Sequence, residues 1–171
     1  MNFIIQNRQL GTGHALKIFY QKYKNLKNNI LVMMGDAPFI NKNHITRVVD
    51  KMKYYPIVVL GAKIKNNRSH GVLKLENNYV KEIKEFNLSN NKEKKIQICN
   101  TGVFGIKKNF LKLVKNLKKN KIKKEYLLTD IVNIAYKKKI KVKLVLTNGS
   151  KNSFGINTIK ELNGIKRVLK L

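Results

Sequence analysis

The sequence predicts a single α/β domain in three layers, with helices on both faces of a mixed sheet. Three observations carry that prediction. Apolar runs of strand character alternate with segments whose apolar residues recur at helical spacing. A hairpin signal, Asn77-Asn78 between two strand-like stretches, interrupts the alternation midway and makes the sheet mixed. The 171 residues show no internal repeat and no low-complexity boundary, and a chain of that length buries about two thirds of its unfolded surface.

Taken in order, Phe3 to Gln6 reads as a short strand. Thr12 or Gly13 opens a helix through Leu26, with Ala15, Leu16, Ile18, Phe19 and Tyr23 on one apolar stripe. Asn29 to Met34 is a continuous apolar run, the pattern of a strand buried on both faces of a parallel sheet. Asn41 or Asn43 caps a second helix that turns Ile45, Val48, Val49 and Met52 inward. Pro56 precedes a strand from Ile57 to Ile64, and the hairpin strands Val72–Leu75 and Tyr79–Ile83 follow. Residues Asn87 to Lys95 are polar and aperiodic, as in a mobile loop. A strand from Ile96 to Ile106 is broken by Asn100-Thr101-Gly102. Helices over Asn109–Lys118 and Leu127–Lys138, a strand over Lys141–Leu146 and a last helix capped by Thr158 complete the series.

Composition narrows the class. One cysteine, Cys99, excludes an internal disulfide and suits a reducing compartment. The opening Phe3-Ile4-Ile5 is too short for a signal-peptide core, and no run approaches the ~20 apolar residues of a membrane helix. These features point to a cytoplasmic protein. The net charge of +28 invites a nucleic-acid reading. Only Arg8, Arg47, Arg68 and Arg167 are arginines, however, and lysine lacks the fork that grips phosphate or guanine at two points. The lysines are also spread over most polar faces. Such a surface binds polyanions weakly and without specificity, with Kd on the order of 10⁻⁴ to 10⁻⁶ M.

The chemistry lies in a few short motifs. In Leu10-Gly11-Thr12-Gly13-His14-Ala15 the glycines free the backbone for φ > 0 and for close approach to a ligand; an ordinary strand-to-helix turn has the same composition. Gly35-Asp36-Ala37-Pro38 sets an acid at the end of an apolar strand, where α/β sheets bind ligands. The chain has only 9 acidic residues, so Asp36 stands out as a hard oxygen ligand for Mg²⁺ or, alternatively, as a turn-forming Asp. Asn100 suits a sugar hydroxyl or N-acetyl group, or a bulge satisfied by backbone. Glu85 ends a strand and can accept from sugar hydroxyls or stand solvated. Glu125-Tyr126-Leu127-Leu128-Thr129-Asp130 combines pocket lining with a helix start. Asn157, before the last helix, offers a second metal oxygen or a cap. His14 reads as a locally packed helix-start residue or, alternatively, as a general base, and Cys99 as a small core residue.

In order and spacing these motifs resemble the uridylyltransferase domain of bacterial bifunctional N-acetylglucosamine-1-phosphate uridylyltransferase / glucosamine-1-phosphate acetyltransferase, within the sugar nucleotidyltransferase superfamily. The resemblance runs from Gln6 to the last helix through Gln-x-x-Gln-Leu-Gly-Thr-Gly-His-Ala, Gly-Asp-x-Pro, Ile-x-Glu, Asn-Thr-Gly, Glu-Tyr-x-x-Thr-Asp-Ile and Gly-x-Asn. It implies a three-layer, Rossmann-like nucleotide-diphospho-sugar transferase fold and transfer of UMP from UTP to N-acetylglucosamine 1-phosphate. The products are UDP-N-acetylglucosamine, a cell-wall precursor, and pyrophosphate. It further implies that Gln6, Gly11 and Thr12 meet the uracil end of the nucleotide and that Gly35 and Asp36 lie beside ribose and phosphate. Asp36 and Asn157 would hold Mg²⁺. Gly71, Glu85 and Asn100 would bind the sugar, with Tyr126 and Thr129 nearby. No residue is implied as a nucleophile.

The departures are equally specific. The glycine-rich triphosphate loop that opens the family's domain and the lysine after it have no counterpart here, and neither does the C-terminal β-helix. Met34 replaces a Tyr before Gly-Asp, Ser69-His70-Gly71-Val72 stands for Gly-Tyr-Gly-Arg, and Lys124 replaces a Gly before Glu125. The resemblance thus implies an N-terminally truncated, partial nucleotidyltransferase domain over residues 1–171. Its Asn29–Met34 strand would lie on an open edge, and Phe3–Gln6 would lack its neighbour. The expectation is a chain impaired alone: a piece of a longer gene, a remnant, or half of a split enzyme completed by a separately encoded N-terminal half. The alternative class is a catalytically inactive, basic polyanion- or RNA-binding protein on the same fold.

Overall fold

The computed structural model describes residues 2–37, 40–65, 67 and 69–147, with 159, 163 and 166. The elements run α1 (Thr12–Lys22), β1 (Ile30–Val32), α2 (Lys42–Met52), β2 (Ile57–Lys63), β3 (Val72–Glu76), β4 (Tyr79–Lys84), β5 (Ile98–Ile106), α3 (Asp130–Lys137) and β6 (Val142–Leu146). They build one 6-stranded sheet in the order β1-β5-β2-β6-β4-β3. β2 and β6 are parallel, from Ile57↔Val142 to Gly61↔Leu146. The other pairs among the described residues are antiparallel, so the sheet is mixed.

β2 shows why the sheet has helices on both sides. Successive strand side chains point to opposite faces. Ile57 and Val59 enter a cluster with Leu16 of α1, Leu111 and Val114 after β5, and Ile131 and Ala135 of α3. Val58 and Leu60 enter another with Val48 and Met52 of α2. A strand covered twice must be apolar throughout, and each such aliphatic side chain contributes about 1.5–3 kcal/mol when fully buried. The three-layer arrangement is therefore written into β2 itself. α2 begins with a capping box: the Asn41 side chain accepts from His44 N at 3.1 Å and the Asn41 N–H donates to His44 Nδ1 at 3.4 Å. The β3–β4 hairpin turns on Asn77 (φ 49°) and Asn78 (φ 64°), the paired left-handed conformation that Asn tolerates.

Several local expectations are corrected. Phe3–Gln6 is not a strand; Phe3 and Ile5 are exposed, and no neighbouring strand holds their backbone among the described residues. Asn29–Met34 yields only Ile30–Val32, half-buried at the end of the sheet and antiparallel to β5, where a doubly covered parallel strand was expected. The end-of-sheet position is the open edge that the resemblance implied, and Ile30 and Val32 pack against the core while staying half-buried. α1 ends at Lys22, short of Leu26, and Ala15 is exposed. Val49 of α2 points outward at 46% exposure. Residues 87–95 carry 3₁₀ turns at Phe86–Leu88 and Glu93–Lys95, tied to the hairpin by ion pairs of Glu93 with Lys74 and Lys84. The expected helix at Asn109–Lys118 is 3₁₀ over Lys108–Asn116, and α3 starts at Asp130, after Leu127. Thr158 and its helix start lie outside the described residues, as does Pro38. Among the described residues no helix is long and apolar enough to cross a membrane.

Candidate functional site

The turn into α1 is fixed by a distant segment. Tyr126 N donates to Leu10 O and Gly13 N donates to Tyr126 O, both at 2.8 Å. These bonds press Gly11 (φ 95°) so close that a methyl group there would lie 2.7 Å from Tyr126 O. A backbone oxygen cannot swing aside, so the position requires glycine. Gln6 folds over this turn: its Nε2 donates to Gly11 O at 3.2 Å and contacts His14 Nδ1 at 3.0 Å. The His14 ring stacks on Tyr126, with centroids 5.9 Å apart, and Lys17 Nζ lies 4.4 Å from the Tyr126 ring centre. Thr12 Oγ1 accepts from Leu128 N at 3.2 Å.

From Leu128 the contacts continue to the other expected residues. Buried Thr129 donates from Oγ1 to Glu85 Oε1 at 2.9 Å, and Lys123 Nζ stands 3.7 Å from Glu85 Oε2. Gly71 adjoins Glu85, and its carbonyl accepts from Asn100 N at 2.8 Å. Asn100 Oδ1 accepts from Gly102 N at 3.1 Å, closing the bulge where the β2–β5 register jumps at Leu60/Gly61. The bulge reading of Asn100 is thus realised at its carbonyl, while its NH₂ has no partner among the described residues. Gly102 (φ 81°) takes the left-handed conformation the bulge needs, with Met34 packed where its side chain would be.

Gly35 follows Met34 and borders, with Thr12, an apolar cavity of about 380 Å³ between α1 and β1. Gln6, Gly11, Thr12, Thr129, Glu85, Gly71 and Asn100 thus stand along one run of hydrogen bonds and packing whose first turn Tyr126 holds, and Gly35 lines the cavity beside Thr12. A methyl group on Gly35 would meet nothing within 4 Å. Asp36, next in the chain, is exposed and makes no hydrogen bond or ion pair among the described residues. Asn157 lies outside the described residues, so the Asp36–Asn157 distance is not part of this geometry.

Electrostatics single out two further acids. Burial, followed by the charges of Glu85 and Glu82, raises the Asp130 carboxyl above its ordinary range. Burial alone pushes the Cys99 thiol up to about 11, which makes it an inert core residue as expected. No group of three or more His, Cys, Asp and Glu side chains among the described residues could hold a metal ion. The exposed Asp36 carboxylate is a single hard oxygen donor that belongs to no such group among the described residues. Sequence reasoning did not place His14 and Lys123 in this run of contacts. Lys123 sits in a basic linker that hides any single lysine, and the His14–Gln6 contact depends on a backbone fold-back with no sequence signature.

No family model matches the chain. It is 31% identical over 170 residues to Bifunctional protein GlmU of Francisella tularensis subsp. holarctica (strain OSU18), covering 98% of this chain and 37% of that protein. Bifunctional protein GlmU of Wolbachia pipientis wMel is 32% identical over 165 residues, covering 95% and 38% respectively. The chain thus spans under two fifths of the length of these relatives. The resemblance seen in the motifs holds across nearly the whole chain. Among solved structures, a nucleoside-diphosphate-sugar pyrophosphorylase from Vibrio cholerae RC9 superposes with TM-score 0.72 at 11% identity, covering 95% of this chain and 67% of that one. A CMP:2-keto-3-deoxy-manno-octonic acid synthetase complexed with CTP gives 0.63 at 11% identity, covering 93% and 68%. The fold is the Rossmann-like fold of nucleotidyltransferases.

Proposed function

We propose that this chain, a relative of Bifunctional protein GlmU over 37% of that protein's length, is a sugar-nucleotidyltransferase domain that binds UTP and N-acetylglucosamine 1-phosphate, or their product UDP-N-acetylglucosamine. The single observation that carries the reading is the run of contacts from Gln6 through Thr12, Thr129 and Glu85 to Asn100. Residues far apart in sequence, expected to serve one ligand, stand in one continuous chain of bonds and packing.

In this reading Gln6, Gly11 and Thr12 receive the uracil end, where the open backbone of the α1 turn meets a polar ring. Gly35 leaves room for ribose. Glu85 accepts from sugar hydroxyls, positioned by Thr129 and Lys123, while the Asn100 NH₂ donates to the N-acetyl carbonyl and Gly71 lets the sugar approach the backbone. Tyr126 holds the turn that faces the nucleotide. Asp36, with Asn157, would hold Mg²⁺, which would supply neutralisation of the phosphate charge. The reaction is attack by the sugar-phosphate oxygen on the α-phosphorus of UTP, forming one P–O bond and releasing pyrophosphate. It needs no protein nucleophile, and the chain's contribution is orientation of two bound reactants.

Isothermal titration with UDP-N-acetylglucosamine in Mg²⁺ tests the reading. Glu85→Ala removes hydrogen bonds to a charged acceptor, each about 1.5–3 kcal/mol, and should weaken binding about 10- to 100-fold. No heat of binding with the unmodified chain, or equal affinity in the variant, would contradict it.

A further inference from the structure

We infer that His14 is a positioning residue that sets which nucleobase Gln6 accepts; this rests on the proposal that Gln6 meets the base. The Gly11 carbonyl can only accept, so the end of the Gln6 amide 3.2 Å from it is the NH₂ group. That same nitrogen lies 3.0 Å from His14 Nδ1. An NH₂ group donates, so Nδ1 accepts, and the neutral ring carries its proton on Nε2. Both Gln6 hydrogens are then used. Gln6 Oε1 has no partner among the described residues and is left as the only group the side chain offers.

The ring that enforces this is itself held. His14 is in the first turn of α1, its N–H donates to Gly11 O at 3.1 Å, and its ring stacks on Tyr126, whose backbone is bonded to Leu10 and Gly13. An amide that only accepts favours a base with a ring N–H, as uracil and thymine have at N3. It is repelled by the N3 lone pair of cytosine. An amide released from His14 has a spare hydrogen and can donate to that lone pair. His14 therefore acts on base choice through Gln6, without touching the base.

The test uses the full 171-residue chain, with UDP and CDP as probes in Mg²⁺. His14→Leu keeps bulk against Tyr126 but cannot accept, and should lower the preference for UDP over CDP about three- to tenfold, the worth of one hydrogen bond. His14→Gln keeps an acceptor and should restore most of the preference. Nitrogen NMR of the ring signal lost in His14→Leu should show the Nε2–H tautomer. A purely structural role would weaken both nucleotides together. An unchanged preference in His14→Leu, or an Nδ1–H tautomer, overturns the inference alone. Binding of neither nucleotide by the unmodified chain overturns the nucleotide proposal, and this inference with it.

Discussion

Glu93 shows how one side chain organises a polar stretch. It accepts from Lys74 and Lys84, and from Asn90 N at 2.8 Å. The bond from Lys74, then that from Lys84, holds its carboxyl down at about 2, against an ordinary 4.5. A depressed folded value means the stabilisation is fully present above about pH 5 and disappears as pH falls from 4.5 towards 2. Glu93→Gln should therefore cost roughly 1–2 kcal/mol at pH 7 and flatten the fall in Tm between pH 5 and 2, read by thermal melts across that window. A melt curve that falls as steeply as before would contradict the assignment. Residue by residue, the sequence was legible where chemistry is local: the Asn77-Asn78 turn, the Asn41 cap and buried Cys99. It was silent on Glu93, because partners in β3 and β4 give no pattern near residue 93.

At the scale of elements, the β5 bulge and the turn before Tyr126 shape the site. Both were visible as motifs, Asn100-Thr101-Gly102 and Glu125-Tyr126, because each needs particular residue types. Lys124 is the exception. It takes φ 54°, a left-handed conformation that costs a non-glycine residue roughly 1–2 kcal/mol, at the position where the motif usually has Gly. Lys124→Gly should raise stability by about 0.5–1 kcal/mol, after glycine's greater unfolded freedom is offset, seen as a higher urea midpoint with unchanged m-value. A lower midpoint would show that the lysine makes contacts worth more than its strain. The misread elements share a cause. Phe3–Gln6 and the Asn29–Met34 run have strand composition, but strand structure depends on neighbours, and apolar runs look alike whether one face or both are covered.

At the scale of the whole molecule, the six strands and three α-helices among the described residues bring residues from 6 to 129 into one run of contacts, and that assembly is the basis of the functional claim. The fold class followed from alternation and the inserted hairpin, while the convergence of the site required the topology. A net charge of +28 attracts any polyanion at low salt, so nucleotide binding has to be separated from that background by its dependence on one carboxylate. The most direct measurement is the melting temperature of the full chain with UDP-N-acetylglucosamine, with and without Mg²⁺ at 0.15 M salt, for the unmodified protein and Asp36→Ala. A site of the proposed kind gives a rise in Tm that needs Mg²⁺ and is lost in Asp36→Ala, about 2.7 kcal/mol of stabilisation at ligand one hundred times Kd. A rise that ignores Mg²⁺ and survives Asp36→Ala, or no rise at all, would contradict it.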